Sequence, residues 1–302
     1  MSLGSNGNAS TVPRVHAPSL RPAVQVPQDP GQYSIVGLLG EGALGRVYLC
    51  EIDAQAEEGG GVKPTLLALK VMSKKDIAER DVATCVKMER DILFDCAGHP
   101  YVAQLHAAFS TPSFEYLVMD WYESGSLFDT LSHFDGFRLN EAQARFYFVE
   151  VMLGLGKIHE LGFVYRDLKP ENVLVGSTGH LCIADFDLAV EFGDLPNRDR
   201  LANLVGTPEY LAPEILSYMS PVGASGVRPC TRSAGHMWPM RADYAGREPL
   251  GVAIDIWCLG CFLFELLHAQ TPFRHSGKDH YRVRAPPTAG HRIQGLAGCP
   301  RG

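Results

Sequence analysis

Residues 163–188 read FVYRDLKPENVLVGSTGHLCIADFDL. Within this stretch Asp167, Lys169, Asn172 and Asp185 stand at fixed offsets among apolar residues. A run of apolar and β-branched residues, a Gly-containing turn and a second apolar run lie between Asn172 and Asp185, which predicts a short strand–turn–strand. The hairpin constrains the fold, because it must return Asp185 to the side of Asp167. The four side chains amount to a base, a cation and two oxygen ligands for a hard divalent ion, the minimum that phosphoryl transfer requires.

The chain has 302 residues, 46% hydrophobic and 20% charged, with a formal net charge of −7. That is enough to bury one large core or two small ones. The negative balance disfavours nonspecific nucleic-acid binding and suits a basic protein partner. The longest strongly apolar run, Ile256–Phe264, is too short to span a bilayer and reads as a buried helix, so no membrane partner is expected. The eight cysteines are scattered, which fits a reducing compartment; a cytoplasmic location is expected, with the nucleus as an addition. Cys258 and Cys261, in an apolar helix, read as core packing rather than a metal site. A monomer is expected.

Along the chain, residues 1–30 are rich in Gly, Ser, Pro and Asn and read as a disordered leader. Strands are predicted at Tyr33–Leu39, Arg46–Ile52, Leu66–Met72, Gln104–Phe109 and Glu115–Met119, and a helix over residues 76–95. Beyond Asp120–Gly125 the pattern turns helical. Asn140 is a candidate N-cap with Gln143 three residues on, and Gly162 a candidate C′ residue. Residues 217–248 show no sustained period and read as an irregular insert, and 274–302 as a disordered tail. The expectation is an α+β fold of two lobes: a small β-rich lobe over 31–119 and a mainly helical lobe over 120–273, with a ligand cleft between them.

Gly40, Gly42 and Gly45 form GxGxxG between two strands. A dinucleotide fold would place that motif between a strand and a helix. Lys70 lies in the apolar strand Ala68-Leu69-Lys70-Val71 and needs an anion to fix it, for which Glu79, Glu89 and Asp91 are the candidates.

Together these strings resemble the eukaryotic protein kinases, specifically serine/threonine kinases of the AGC group. Asp-Leu-Lys-Pro-Glu-Asn (167–172), Asp-Phe-Asp (185–187), Gly-Thr-Pro-Glu-Tyr-Leu-Ala-Pro-Glu (206–214) and Asp-Ile-Trp (255–257) carry the resemblance. It covers about residues 33–216 and 249–273, and implies ATP and magnesium as cofactors and a protein substrate, expected to be basic. By that resemblance Asp167 is the base toward the acceptor hydroxyl, Lys169 stabilises the transferred phosphoryl, Thr207 bonds both, and Lys70 with Glu89 holds the α- and β-phosphates. Asn172 and Asp185 ligate magnesium, and Asp255 anchors the catalytic loop. Leu39, Gly40, Gly42 and Gly45 cover the nucleotide. Val47, Ala68 and Leu174 sandwich adenine, Met119 is the gatekeeper, Asp120 and Tyr122 offer backbone groups, and Ser126 and Glu171 stand near ribose or substrate. Glu171 and Glu265 favour a basic peptide.

The chain departs from the pattern at Asp187, where the family usually has Gly, and at Asn203, where an activating Ser or Thr stands. Its family-like sequence stops after Phe273, so Glu214 lacks its Arg partner. These departures leave two alternatives open: a nucleotide-binding module without catalysis, and an unstable truncated product.

Overall fold

A computed structural model of the chain describes residues 25–42, 44–52, 64–192, 208–212 and 251–273. Five strands, β1 (Ser34–Glu41), β2 (Arg46–Ile52), β3 (Thr65–Ser73), β4 (Leu105–Ser110) and β5 (Phe114–Asp120), form an antiparallel sheet in the order β1-β2-β3-β5-β4. β3 is central and nearly buried throughout, in keeping with its apolar sequence TLLALKVMS. β1, at the edge, exposes Ile35, Val36, Leu38 and Leu39.

The helix expected over 76–95 is two helices, α1 (Lys74–Glu79) and α2 (Ala83–Asp95). Apolar spacing continues across both, but Asp81 takes a left-handed φ of 55° and breaks the hydrogen-bond ladder between them. The leader boundary also shifts. Residues 25–30 pack on the sheet, since Val26 joins its outer apolar cluster and Pro27 accepts a 2.5 Å hydrogen bond from the Tyr33 hydroxyl. Asp29 caps a single 3-10 turn at Pro30–Gln32.

The second lobe contains α3 (Leu127–Leu131), α4 (Glu141–Glu160) and α5 (Ala253–His268), with short pairs β6–β9 (Phe163–Val164 with Val190–Glu191) and β7–β8 (Val173–Val175 with Leu181–Ile183). α4 opens with the expected capping box between Asn140 and Gln143, and Gly162 follows it at φ 87°. Its core face packs against α5 and β8. One continuous apolar core runs from Met72 and Ile92, under the cleft, to Phe262 and Leu266. Cys258 and Cys261 are both buried in α5 within that core. Among the described residues no helix is long and apolar enough to cross a membrane. Residues 217–248 and 274–302, with Asn203, Thr207 and Glu214, lie outside the described residues.

Candidate active site

β3 delivers Lys70 to the cleft because its register sets Lys70 between Val47 of β2 and Leu117 of β5. Its ammonium lies 2.6 Å from Glu89 Oε1 and 3.5 Å from Asp185 Oδ1. Lys70 and Glu89 are 9% and 2% exposed, so this is a buried ion pair. The rival carboxylates are engaged at the surface: Glu79 lies 3.8 Å from Lys75, and Asp91 lies 2.7 Å from Arg90. Burial works to lower the Lys70 pKa, yet the Glu89 and Asp185 carboxylates outweigh it and hold the ammonium above its ordinary value. Glu89 Oε2 is buried and has no hydrogen-bond partner among the described residues.

The loop that follows β6 hangs from Asp255, whose side chain is fully buried at the start of α5. Asp255 Oδ1 accepts the Arg166 amide at 2.7 Å. Oδ2 accepts the Tyr165 amide at 2.8 Å and lies 2.7 Å from His159 Nε2. Arg166 then adopts φ 69°, a conformation a non-Gly residue keeps only where its surroundings over-determine it. The Tyr165 hydroxyl donates to Ala184 O at 2.5 Å, and its ring meets Phe186 edge-on at 5.4 Å.

Asp167 is the focus of this loop. Its Oδ2 accepts from Lys169 Nζ at 2.8 Å and from Asn172 Nδ2 at 2.6 Å. Asn172 Nδ2 also donates to the Asp167 carbonyl at 2.9 Å. Both contacts use the amide nitrogen, so the amide oxygen is the atom suited to a cation. Burial pushes the Asp167 carboxyl up, and Lys169 and Asn172 partly reverse this. Asp185 turns at φ 58°, and its carboxylate is 45% exposed, in contrast to the buried Asp167. Asn172 and Asp185 each carry a hard oxygen, the donor type that magnesium takes.

Asp187 does not take a left-handed φ; that conformation falls on Asp185 instead. The missing glycine therefore imposes no backbone strain at position 187. The Asp187 carboxyl is pushed up to about 7 by burial, with Asp185 adding to the effect.

At the mouth of the cleft, Gly42 donates to Gly45 O at 2.8 Å. A Cβ on Gly45 would come within 2.3 Å of Val71 O, so that glycine lets the β1–β2 turn lie on β3. Gly45→Ala is expected to cost about 1–3 kcal/mol, read as a lowered urea midpoint. Gly40 and Gly42 have open space where a Cβ would be, or only ordinary contact. Ala68 is buried and pairs across to Met119, Val47 and Leu174 are half-buried, and Leu39 is exposed on the sheet edge. Asp120 and Tyr122 form the connection between the lobes. Ser126 caps α3 and donates its hydroxyl to Asp129 at 2.7 Å, and Glu171 is exposed beside Asn172.

Glu265 is placed differently from the expectation of a peptide-facing carboxylate. It is 7% exposed and accepts the Tyr210 hydroxyl, because it projects from α5 into the core below the 208–212 segment. Sequence reading also missed two pairs. Glu150 of α4 lies 2.5 Å from His180 Nδ1 and accepts the Leu181 amide at 2.8 Å, tying α4 to β8. His106 lies 2.8 Å from Asp120. Neither pair has a local spacing that would announce it.

A sequence model described as the protein kinase domain matches residues 33–227. The chain is 33% identical over 269 residues to human serine/threonine-protein kinase Sgk2, covering 89% of this chain and 60% of that protein. It is 34% identical over 251 residues to human ribosomal protein S6 kinase alpha-1, covering 83% and 28%, and 34% identical over 242 residues to human myotonin-protein kinase, covering 80% and 33%. It thus spans 60% of the first relative's length and about a third of the other two. With a β-rich lobe over a helical lobe and the Lys70–Glu89 and Asp167–Asn172 constellations in its cleft, this chain belongs to the protein kinase family, among the serine/threonine kinases of the AGC group.

Proposed function

We propose that the chain transfers the γ-phosphoryl group of ATP to Ser or Thr hydroxyls of a protein, with magnesium as cofactor. One observation carries this reading: Asp167 is buried, held by Lys169 and Asn172, and suspended on a loop that Asp255 fastens to α5. A nucleotide-binding module has no use for a carboxylate oriented in this way.

In this reading Lys70, fixed by Glu89, meets the α- and β-phosphates, and the amides of the Gly40–Gly45 turn cover them. Val47, Ala68 and Leu174 enclose the adenine, with Met119 behind it and backbone groups of Asp120 and Tyr122 at its edge. Asn172 and Asp185 would hold magnesium, which supplies charge neutralisation between the phosphates when bound. Asp167 accepts the proton of the attacking hydroxyl as its oxygen bonds phosphorus and the bond to the ADP oxygen breaks. Lys169 offsets the charge that builds on the transferred group. Exposed Glu171 favours a basic residue in the substrate. Equal phosphorylation of peptides with and without an upstream Arg would overturn that preference.

The test is magnesium-dependent transfer of labelled phosphate from ATP to a generic basic protein. Lys70→Met is expected to lower transfer by about 10²-fold or more. Stabilisation by ATP with no transfer would replace the reading by that of a binding module. Absence of a cooperative melt would replace it by that of an unstable fragment.

A further inference from the structure

Strands β4 and β5 pair Leu105 with Met119 and then Ala107 with Val118, so His106 is an extra residue with no opposite number. A bulge of this kind bends the strand and re-aims one side chain. Here it carries the imidazole Nε2 to within 2.8 Å of Asp120 Oδ1, and the two side chains are only 8% and 11% exposed. The Asp120 amide also donates to Gln104 O at 3.1 Å. Asp120 is therefore gripped at its backbone and at its carboxylate by the strand behind it.

Gln104 closes the turn ahead of β4: its Oε1 accepts the Gly98 amide at 2.8 Å, and its Nε2 donates to His99 O and Val102 O at 2.8 and 2.6 Å. Asp120 is thus held at its carboxylate and its amide by residues 104–106, which Gln104 ties to the turn ahead of β4. Such a network holds a backbone in one conformation at little further entropy cost on binding.

We propose that His106 is a positioning residue for the nucleotide base, acting through Asp120 to preset the backbone of the 120–122 connection. This rests on the proposal that the cleft takes ATP. It separates base recognition from phosphate recognition, since Lys70 is bonded to Glu89 and Asp185 and not to His106 or Asp120.

The test uses the full chain and two ligands, ADP and inorganic tripolyphosphate, each with magnesium, followed by calorimetry. His106→Leu is expected to weaken ADP about five- to tenfold and to leave tripolyphosphate within about twofold. In transfer assays the effect falls on KM for ATP rather than on kcat. His106→Gln, which keeps a donor for Asp120, recovers most of the ADP affinity and stands in if His106→Leu does not fold. Equal losses for both ligands in the two variants would show a merely structural role and overturn the inference. Unchanged ADP affinity in both would do the same. Failure of the wild-type chain to bind either ligand would overturn the ATP reading itself, and the inference with it.

Discussion

Asp167→Ala abolishes most phosphate transfer, lowering kcat by about 10²–10⁴-fold, while ATP still stabilises the fold. The carboxylate is buried beside two donors, Lys169 at 2.8 Å and Asn172 at 2.6 Å, which fix its direction. Removing it deletes the acceptor for the hydroxyl proton and frees Lys169 and Asn172 to move. It leaves intact the Lys70–Glu89 pair, which sits on the opposite lobe. The nucleotide should therefore still bind, and the loss should fall on kcat. Asp167→Asn tests geometry against basicity, since the amide oxygen can still accept from Lys169 but cannot take a proton. Comparable losses in Ala and Asn variants would assign the effect to the proton. Full activity in either would remove Asp167 from the mechanism.

Asp255→Ala is expected to destabilise the chain by about 3–5 kcal/mol, a large share of the ordinary stability of a domain. Its carboxylate accepts the Tyr165 and Arg166 amides at 2.8 and 2.7 Å and lies 2.7 Å from His159. The carboxylate and both amides are buried, so truncation leaves two amide donors without water or protein to accept them. Arg166, at φ 69°, would lose the contact that holds it in that conformation. Denaturant unfolding measures the change. Asp255→Asn should recover about half of it, because one oxygen remains to accept while the new NH₂ faces a donor. A loss below about 1 kcal/mol in the Ala variant would mean that the loop is held by other contacts. Asp255 and Asp167 thus separate scaffold from chemistry: the first change is read in the melt, the second in kcat.

The elements legible in the sequence are those specified by local rules. Asn140 and Gln143 cap α4 because a side chain reaches an amide three residues away, whatever the rest of the chain does. The alternation and β-branching of β2, β3 and β5 predicted strands that formed with shifts of a residue at their ends. The spacing of Asp167, Lys169 and Asn172 likewise sets one short loop, and its internal hydrogen bonds follow from that loop alone. One local signal misled: the apolar period over 76–95 runs through a left-handed Asp81, which a periodicity argument cannot see.

Pairings across long stretches of chain were decided by packing. Three acidic residues on the first helices were open to Lys70. Glu89 was chosen because α2 docks with its apolar face on the core, turning Glu89 inward with Val86, Met88, Ile92 and Leu93. Glu265, an ordinary carboxylate in sequence, ended in the core under Tyr210 because α5 is enclosed on that face. Asp255 acquired its partners from positions about ninety residues away. His106 reached Asp120 only because a single unpaired residue in β4 turned its side chain toward the connection between the lobes. Residue type and near spacing determined which chemical groups this chain carries. Burial, which charges for every unpaired polar group, determined which of them meet.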